Sequence, residues 1–352
     1  MRFTLEAVEL RLAEPFVNAR GTQSTVRQIL LELTWDGLTG VGVAHVADRD
    51  GLAEEAVRAS LLASLRPLVG RTPGEAASRL NRLETGSPAA CSAASAVDMA
   101  VHDLLGQVAG LPLRRLCGLP VRSAVPTAIS LGAGDGRWLR QRALDLIRWP
   151  VIKLKMTPGE DASRVAMVRD VHPGRIWVDG NGCWDRRAAI AMAEKLHAHG
   201  VELLEQPVPA GRPEDLRAVR AASPIPVVAD EDCRTPGDVL RLAGCADVVN
   251  IKLFRCGGLL RARRMIRLAR RVGLRVMLGC KTESVVGVTA MAQLAGLADY
   301  LDLDGHLDLL DDPYRGIEVE HGLLTVPTAA GLGLVRVSDP TGRAGSPRRQ
   351  LA

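Results

Sequence analysis

A chain of 352 residues with 47% hydrophobic and 24% charged side chains has the balance of a soluble globular protein, long enough for two domains or for one barrel with an appendage. No stretch reaches the roughly 18 apolar residues of a membrane span, and Met1 to Leu10 lacks the apolar run of a signal peptide, so a cytoplasmic protein without a membrane partner is expected. The net charge of +5 owes much to Arg261, Arg263, Arg264, Arg267, Arg270 and Arg271, which share one helical segment with Leu260, Met265, Ile266 and Leu268; without stacking aromatics this is a solvated helix face, and nucleic acid is not an expected partner.

The chain opens with strand-like alternation over Phe3–Leu10, Gln28–Leu33 and Leu38–Ala44, the last two joined by an Asp36-Gly37 turn. From Leu52 to Val108 the pattern becomes helical and Ala-rich, which predicts an α+β amino-terminal capping domain over residues 1–120. From about Val125 short apolar runs recur about every 25 residues between amphipathic segments. They are Thr127–Ser130, Val151–Leu154, Ile176–Val178, Val201–Leu204, Pro226–Ala229, Val248–Ile251, Arg275–Leu278 and Tyr300–Leu303. Eight such runs predict an α/β fold of the parallel (β/α)₈ barrel type over residues 121–325. A doubly wound sheet competes, but the Gly-rich phosphate loop after its first strand is missing. Residues 326–352 form a carboxyl-terminal segment whose polar end, Asp339 through Arg349, has the composition of a disordered tail. The seven cysteines are odd in number, scattered and without a CxxC, so they read as packing residues rather than a disulfide framework or zinc cluster.

A parallel barrel builds its active site at the carboxyl ends of its strands. Here those ends read Lys153-Leu154-Lys155, Asp179-Gly180-Asn181, Glu205-Gln206-Pro207, Asp230-Glu231, Lys252, Cys280-Lys281 and Asp302-Leu303-Asp304, for strands two to eight. A lone acidic residue at such a place is most often a cap or a surface carboxylate. Asp179, Glu205 and Asp230, however, end three neighbouring strands, and three converging carboxylates repel unless a hard divalent cation joins them. Magnesium is the expected metal, with manganese as a substitute.

Strands two and six lie diametrically opposite in an eight-stranded barrel, so Lys155 and Lys252 would face each other across the mouth. Two opposed bases suit racemisation or epimerisation: one removes the α-proton and the other returns a proton to the opposite face. Lys153 shares a strand face with Lys155, and each cation is expected to lower the other's pKa toward that of a useful base. A metal on the substrate carboxylate would stabilise the enediolate that forms. The substrate is therefore a small molecule with an acidic α-proton beside a carboxylate.

These residues resemble the enolase superfamily, in particular its muconate-lactonising subgroup, and within it the dipeptide epimerases. The likeness runs to about Leu324 and rests on Ala96-Val97-Asp98-Met99-Ala100-Val101-His102-Asp103-Leu104 with Gly106, and on the strand-end motifs above with Asn250-Ile251-Lys252-Leu253 and Gly257-Gly258. The resemblance implies that Lys155 and Lys252 are the acid/base catalysts, that Lys153 assists at the substrate, and that Asp179, Glu205 and Asp230 hold magnesium. Asp302-Leu303-Asp304 matches the motif by which dipeptide epimerases hold a substrate α-ammonium, against the alternative of a turn or helix cap.

Cys280 and Lys281 would border the substrate, as would Arg20 in the Ala19-Arg20-Gly21-Thr22 loop expected over the barrel mouth. Three departures stand out: Gly40-Val41-Gly42-Val43 in place of Gly-x-Gly-Glu, Lys281 where relatives carry an apolar residue, and Asp232 after Asp230-Glu231. The same lysines and metal could instead serve a muconate cycloisomerase, an o-succinylbenzoate synthase or an N-acylamino-acid racemase. Outside this chemistry, a Schiff-base lysine aldolase is the alternative, distinguished by borohydride trapping and indifference to EDTA. Association into homo-oligomers is left open.

Overall fold

The computed structural model describes residues 1–19, 21–48, 51–120 and 124–337. Three antiparallel strands, Arg2–Asn18, Gly21–Trp35 and Leu38–Val46, form the first sheet. The Asp36-Gly37 hairpin puts both residues at positive φ (49° and 78°), the conformation that matches the twist of the flanking strands. The first two strands run well beyond the alternating stretches that mark them in sequence, and their far ends lie on the barrel. Ala13 N–H bonds Asp308 O at 2.8 Å, and Ala133 N–H bonds Val17 O at 2.7 Å.

Helix Pro88–Ala109 packs across this sheet. It starts with Ser87 Oγ accepting from Ala90 N–H, has Pro88 at its first position and stops at Gly110 in the left-handed region. Its alanines and the strand glycines belong together. A Cβ on Gly40 or Gly42 would lie 2.1 Å from Ala100 O or 2.0 Å from Ala96 O, so helix and strand touch backbone to backbone. That contact explains the glycines of the departing Gly40-Val41-Gly42-Val43 stretch.

Each of the eight apolar runs is a barrel strand: Ile129–Leu131, Val151–Lys155, Arg175–Asp179, Val201–Glu205, Val227–Ala229, Val248–Ile251, Arg275–Gly279 and Tyr300–Asp302, paired in parallel in that order. Ala128 N–H to Leu301 O (3.0 Å) and Leu303 N–H to Thr127 Oγ1 (2.9 Å) bring strand eight back to strand one. The capping sheet is thus joined to a parallel (β/α)₈ barrel.

The two parts are held by the helix residues that carry the sequence resemblance. Asp98 accepts the Leu259 N–H at 2.7 Å, capping barrel helix Leu259–Arg271 from the other domain. Asp103 accepts the N–H groups of Val41 (2.9 Å) and Leu332 (2.7 Å), tying the post-barrel segment back to the capping sheet. The arginine-rich helix is only partly a solvated face. Arg261 and Arg263 bond the carbonyls of Leu83 and Cys117, while Arg264, Arg267, Arg270 and Arg271 are exposed. All seven cysteines are free. Among the described residues no helix is long and apolar enough to cross a membrane. The tail from Asp339 to Arg349 lies outside the described residues.

Candidate active site

Side chains alternate sides along a strand, so residues two apart share the barrel interior. Ala128, Val151, Trp177, Leu203, Val228, Val248 and Met277, with Tyr300 against them, pack into an apolar floor. Two residues further along each strand the same inward face carries Ser130, Lys153, Asp179, Glu205, Asp230, Asn250, Gly279 and Asp302. Two more bring Lys155, Lys252 and Asp304. The barrel therefore changes from a dry plug to a charged ring in one step along the strands. Lys153 and Asp179 are wholly buried, and Glu205, Asp230, Lys252 and Asp302 nearly so.

The charged groups pair both between adjacent strands and across the barrel interior. Lys155 Nζ donates to Asp179 Oδ2 at 2.6 Å, as their direct register dictates. Lys153 Nζ sits between three carboxylates, 2.7 Å from Asp302 Oδ2, 2.8 Å from Glu205 Oε2 and 3.3 Å from Asp179 Oδ2. Asp230 turns its Oδ2 to Lys252 (2.8 Å) and its Oδ1 to Arg255 (2.6 Å). Asn250 Nδ2 donates to Glu205 Oε1 at 3.1 Å.

Asp179, Glu205 and Asp230 thus line one wall, with their oxygens engaged by ammonium and guanidinium groups. Among the described residues no three acidic, His or Cys side chains stand as a preformed cation cluster. Asp232, the unusual third acid of its motif, is a brace: it accepts Gln206 Nε2 (2.8 Å) and Gly211 N–H (2.6 Å), and Gln206 Oε1 in turn accepts Asp230 N–H (2.9 Å).

These surroundings correct one expectation. Burial disfavours the Lys153 ammonium, yet Asp302, Glu205, Asp179 and Asp230 together hold its pKa well above the ordinary lysine value. Lys155 is also raised: burial and Lys153 oppose its charge, and Asp179, Asp302 and Glu205 together outweigh them. The mutual depression of the two lysines is overridden because each ammonium is in direct contact with a carboxylate oxygen, at 2.7 Å for Lys153 and 2.6 Å for Lys155.

The carboxylates diverge correspondingly. Burial would lift Asp179, but Lys155 and Lys153 bring it down to about 2. Asp230, also buried, is held far below the carboxylate range by Arg255 and Lys252. Glu205 goes the other way, to about 7, because burial with Asp179, Asp230 and Asp302 nearby exceeds what Lys153 offsets. The wall thus keeps an under-neutralised oxygen donor between two ionised ones on adjacent strands. That donor set, all carboxylate and shielded from water, fits a hard divalent cation.

On strand eight Asp304 Oδ2 accepts the Ser130 N–H at 2.6 Å, and burial beside Asp302 pushes its carboxyl up to about 6. Asp302 Oδ1 is buried and has no hydrogen-bond partner among the described residues. The Cys280 thiol, pushed well up by burial, donates to Asp302 O (3.2 Å) and accepts Gly305 N–H (3.3 Å), so it fixes the course of this loop.

Lys281 places its ammonium 5.1 Å from the centroid of the Phe254 ring; Arg255 approaches the same ring at 5.5 Å and His45 of the capping sheet at 4.6 Å. A cavity of about 160 Å³ opens over the charged ring, bounded by Lys155, Lys252, Lys281 and Asp304 below and by Leu12, Phe16, Val26 and His45 of the capping domain above. Arg20 lies outside the described residues. Sequence reasoning missed Asn250, Ser130, Arg255 and His45. The first two lie on the same two-residue ladder as the lysines; Arg255, one helical turn after Lys252, and His45, from another domain, carry no such signal.

Residues 2–118 match the mandelate racemase / muconate lactonizing enzyme N-terminal domain, and residues 137–337 the enolase C-terminal domain-like family. The chain belongs to this enolase-like family. It is 31% identical to the L-Ala-D/L-Glu epimerase of Bacteroides thetaiotaomicron, over 96% of this chain and 88% of that one. It is 35% identical to the L-Lys-D/L-Arg epimerase of Methylococcus capsulatus, over 92% and 95%. Among solved structures, a dipeptide epimerase from Methylococcus capsulatus complexed with Mg and L-Arg-D-Lys superposes with a TM-score of 0.88 at 31% identity, over 95% of this chain and 99% of that one.

Proposed function

We propose that this chain is a magnesium-dependent dipeptide epimerase that inverts the carbon next to the substrate's carboxylate. The observation that carries it is the pairing, in one buried ring, of lysines on strands two and six with a carboxylate wall on strands three to five and Asp302 and Asp304 on strand eight. Relatives named as epimerases of dipeptides, and solved neighbours complexed with Mg and dipeptides, support it.

In this reading Asp179, Glu205 and Asp230 would hold the divalent cation, which would supply stabilisation of negative charge on the substrate carboxylate. Lys155 and Lys252 stand on opposite faces of the α-carbon, one as base and the other as acid. With Asp179 serving the cation, its hold on the Lys155 ammonium would weaken, which would favour Lys155 as a base. Lys153 places a positive charge at the substrate carboxylate. Asp302 and Asp304 receive the α-ammonium, with Ser130 N–H keeping Asp304 in place.

Hydrogen exchange at the α-carbon tests this directly. With Mg²⁺ in D₂O, a library of L,L-dipeptides should take up deuterium with inversion. N-acylamino acids, o-succinylbenzoate precursors and muconate should not, because they bring no cation to Asp302 and Asp304. Exchange confined to those substrates, or unaffected by EDTA, would overturn the assignment.

A further inference from the structure

The two oxygens of Asp302 have different surroundings. Oδ2 accepts from Lys153 Nζ at 2.7 Å, whereas Oδ1 is buried without a partner among the described residues. Lys153 Nζ also lies 2.8 Å from Glu205 Oε2 and 3.3 Å from Asp179 Oδ2 as ion pairs, while its hydrogen bond goes to Asp302. Strand one separates strands eight and two, and at this level it presents only Ser130, in register with Lys153. A larger inward residue there would stand between lysine and aspartate. One wholly buried ammonium therefore touches both the carboxylate wall and the first acid of the strand-eight pair.

We propose that Asp302 governs divalent-metal affinity through Lys153 without being a metal ligand. The proposal rests on the reading that Asp179 and Glu205 hold the cation. A divalent ion held by those carboxylates would compete with Lys153 Nζ, which now lies between them. A buried ammonium cannot move to water, so it yields only if another carboxylate takes it. Asp302 Oδ2 is already in contact, and a small swing of Nζ toward strand eight clears the wall without breaking that bond. With Asp302 neutralised, Lys153 has no counter-ion except the carboxylates the metal needs, and it competes for them. Asp302 is thus a positioning residue for Lys153, and its free Oδ1 stays available to the substrate ammonium. The carboxylate end and the ammonium end of the site are coupled through one lysine.

A double-mutant cycle read by calorimetric titration of Mg²⁺ into the full chain, without substrate, tests this. Asp302→Asn is isosteric and should weaken Mg²⁺ binding by about 5–150-fold, the range of ordinary coupling between sites. In a Lys153→Met background the same Asn should have almost no effect, because the competing ammonium is gone. Lys153→Gln serves as the second background if Lys153→Met does not fold. An equal loss in both backgrounds would mean that Asp302 acts as a distant charge and overturns the relay. So would undiminished Mg²⁺ binding in Asp302→Asn alone. Asp179→Asn is titrated alongside. If it binds Mg²⁺ as the unaltered chain does, the metal seat itself is misplaced, a failure distinct from the two that concern only Lys153 and Asp302.

Discussion

Lys252 and Arg255 divide the two carboxylate oxygens of Asp230 between them, at 2.8 and 2.6 Å. They stand three residues apart at the start of a short helix, so one turn of backbone sets both cations against one acid. Arg255 also donates to the Asp230 carbonyl at 2.9 Å and lays its guanidinium toward Phe254. Asp230 therefore cannot rotate freely, and its direction is decided by a residue that need not touch substrate.

Arg255→Met should lower kcat/KM and Mg²⁺ affinity together, by about 10–100-fold, the usual cost of losing an outer partner of a ligand side chain. Arg255→Lys should restore part of both by returning the charge without the planar guanidinium. Calorimetric Mg²⁺ titration beside kinetics makes the check. Unchanged metal affinity in Arg255→Met would show that Asp230 needs no second cation.

The opposed lysines make a directional claim. Lys155→Ala and Lys252→Ala should each stop net epimerisation, yet each should still exchange the α-proton of the one stereoisomer that the surviving lysine faces. Nuclear magnetic resonance of L,L and L,D dipeptides in D₂O reads both reactions at once. Mutants that exchange the same isomer would place the two lysines on one face.

Asp304 ties substrate binding to pH. Its carboxyl is pushed up to about 6, and an ammonium is held only by the ionised form. KM for a dipeptide should therefore rise as pH falls through about 6, and Asp304→Asn should flatten that limb while raising KM throughout. For the free protein the linkage has the opposite sign. A folded-state pKa above the unfolded value makes the folded chain bind more protons, so the stability contributed by this group is present below about pH 4 and lost as pH rises through about 6. Denaturation midpoints of the unaltered chain and Asp304→Asn across this window should converge at low pH.

The eight strands were legible because each is an apolar run closed by a chemically distinct residue, and burial on both faces leaves little else those runs could be. The ring was legible for a related reason. Period-two placement of Lys153 with Lys155 and of Asp302 with Asp304 survives any error in strand ends. The direction of the lysine pKa shifts was not legible, since it depends on cross-strand register: Lys155 lies directly beside Asp179, a fact that neither strand's own sequence contains. His45 was hidden for the same reason. It reads as one more residue of a capping strand, and only the docking of that sheet sets its Nε2 3.4 Å from Glu283 and its ring beside Phe254.

Lys281 remains the residue on which substrate choice should turn. Its ammonium and the Arg255 guanidinium lie 5.1 and 5.5 Å from the centroid of the Phe254 ring, so one wall of the cavity carries two cations around a single aromatic side chain. Glu283 accepts the Lys281 backbone N–H at 3.3 Å and faces His45. A second-residue side chain bearing a carboxylate would meet a positive surface there, whereas Lys or Arg would be repelled. Replacement by methionine keeps the length and the apolar contact with Phe254 while deleting the charge. Lys281→Met should lower kcat/KM for dipeptides ending in Glu or Asp about fivefold, as expected for a partly exposed ion pair of about 1 kcal/mol. Dipeptides ending in neutral residues should change little, and those ending in Lys or Arg should improve. A uniform decline across all three classes would assign Lys281 to packing on Phe254 and move the choice of side chain to the capping hairpin.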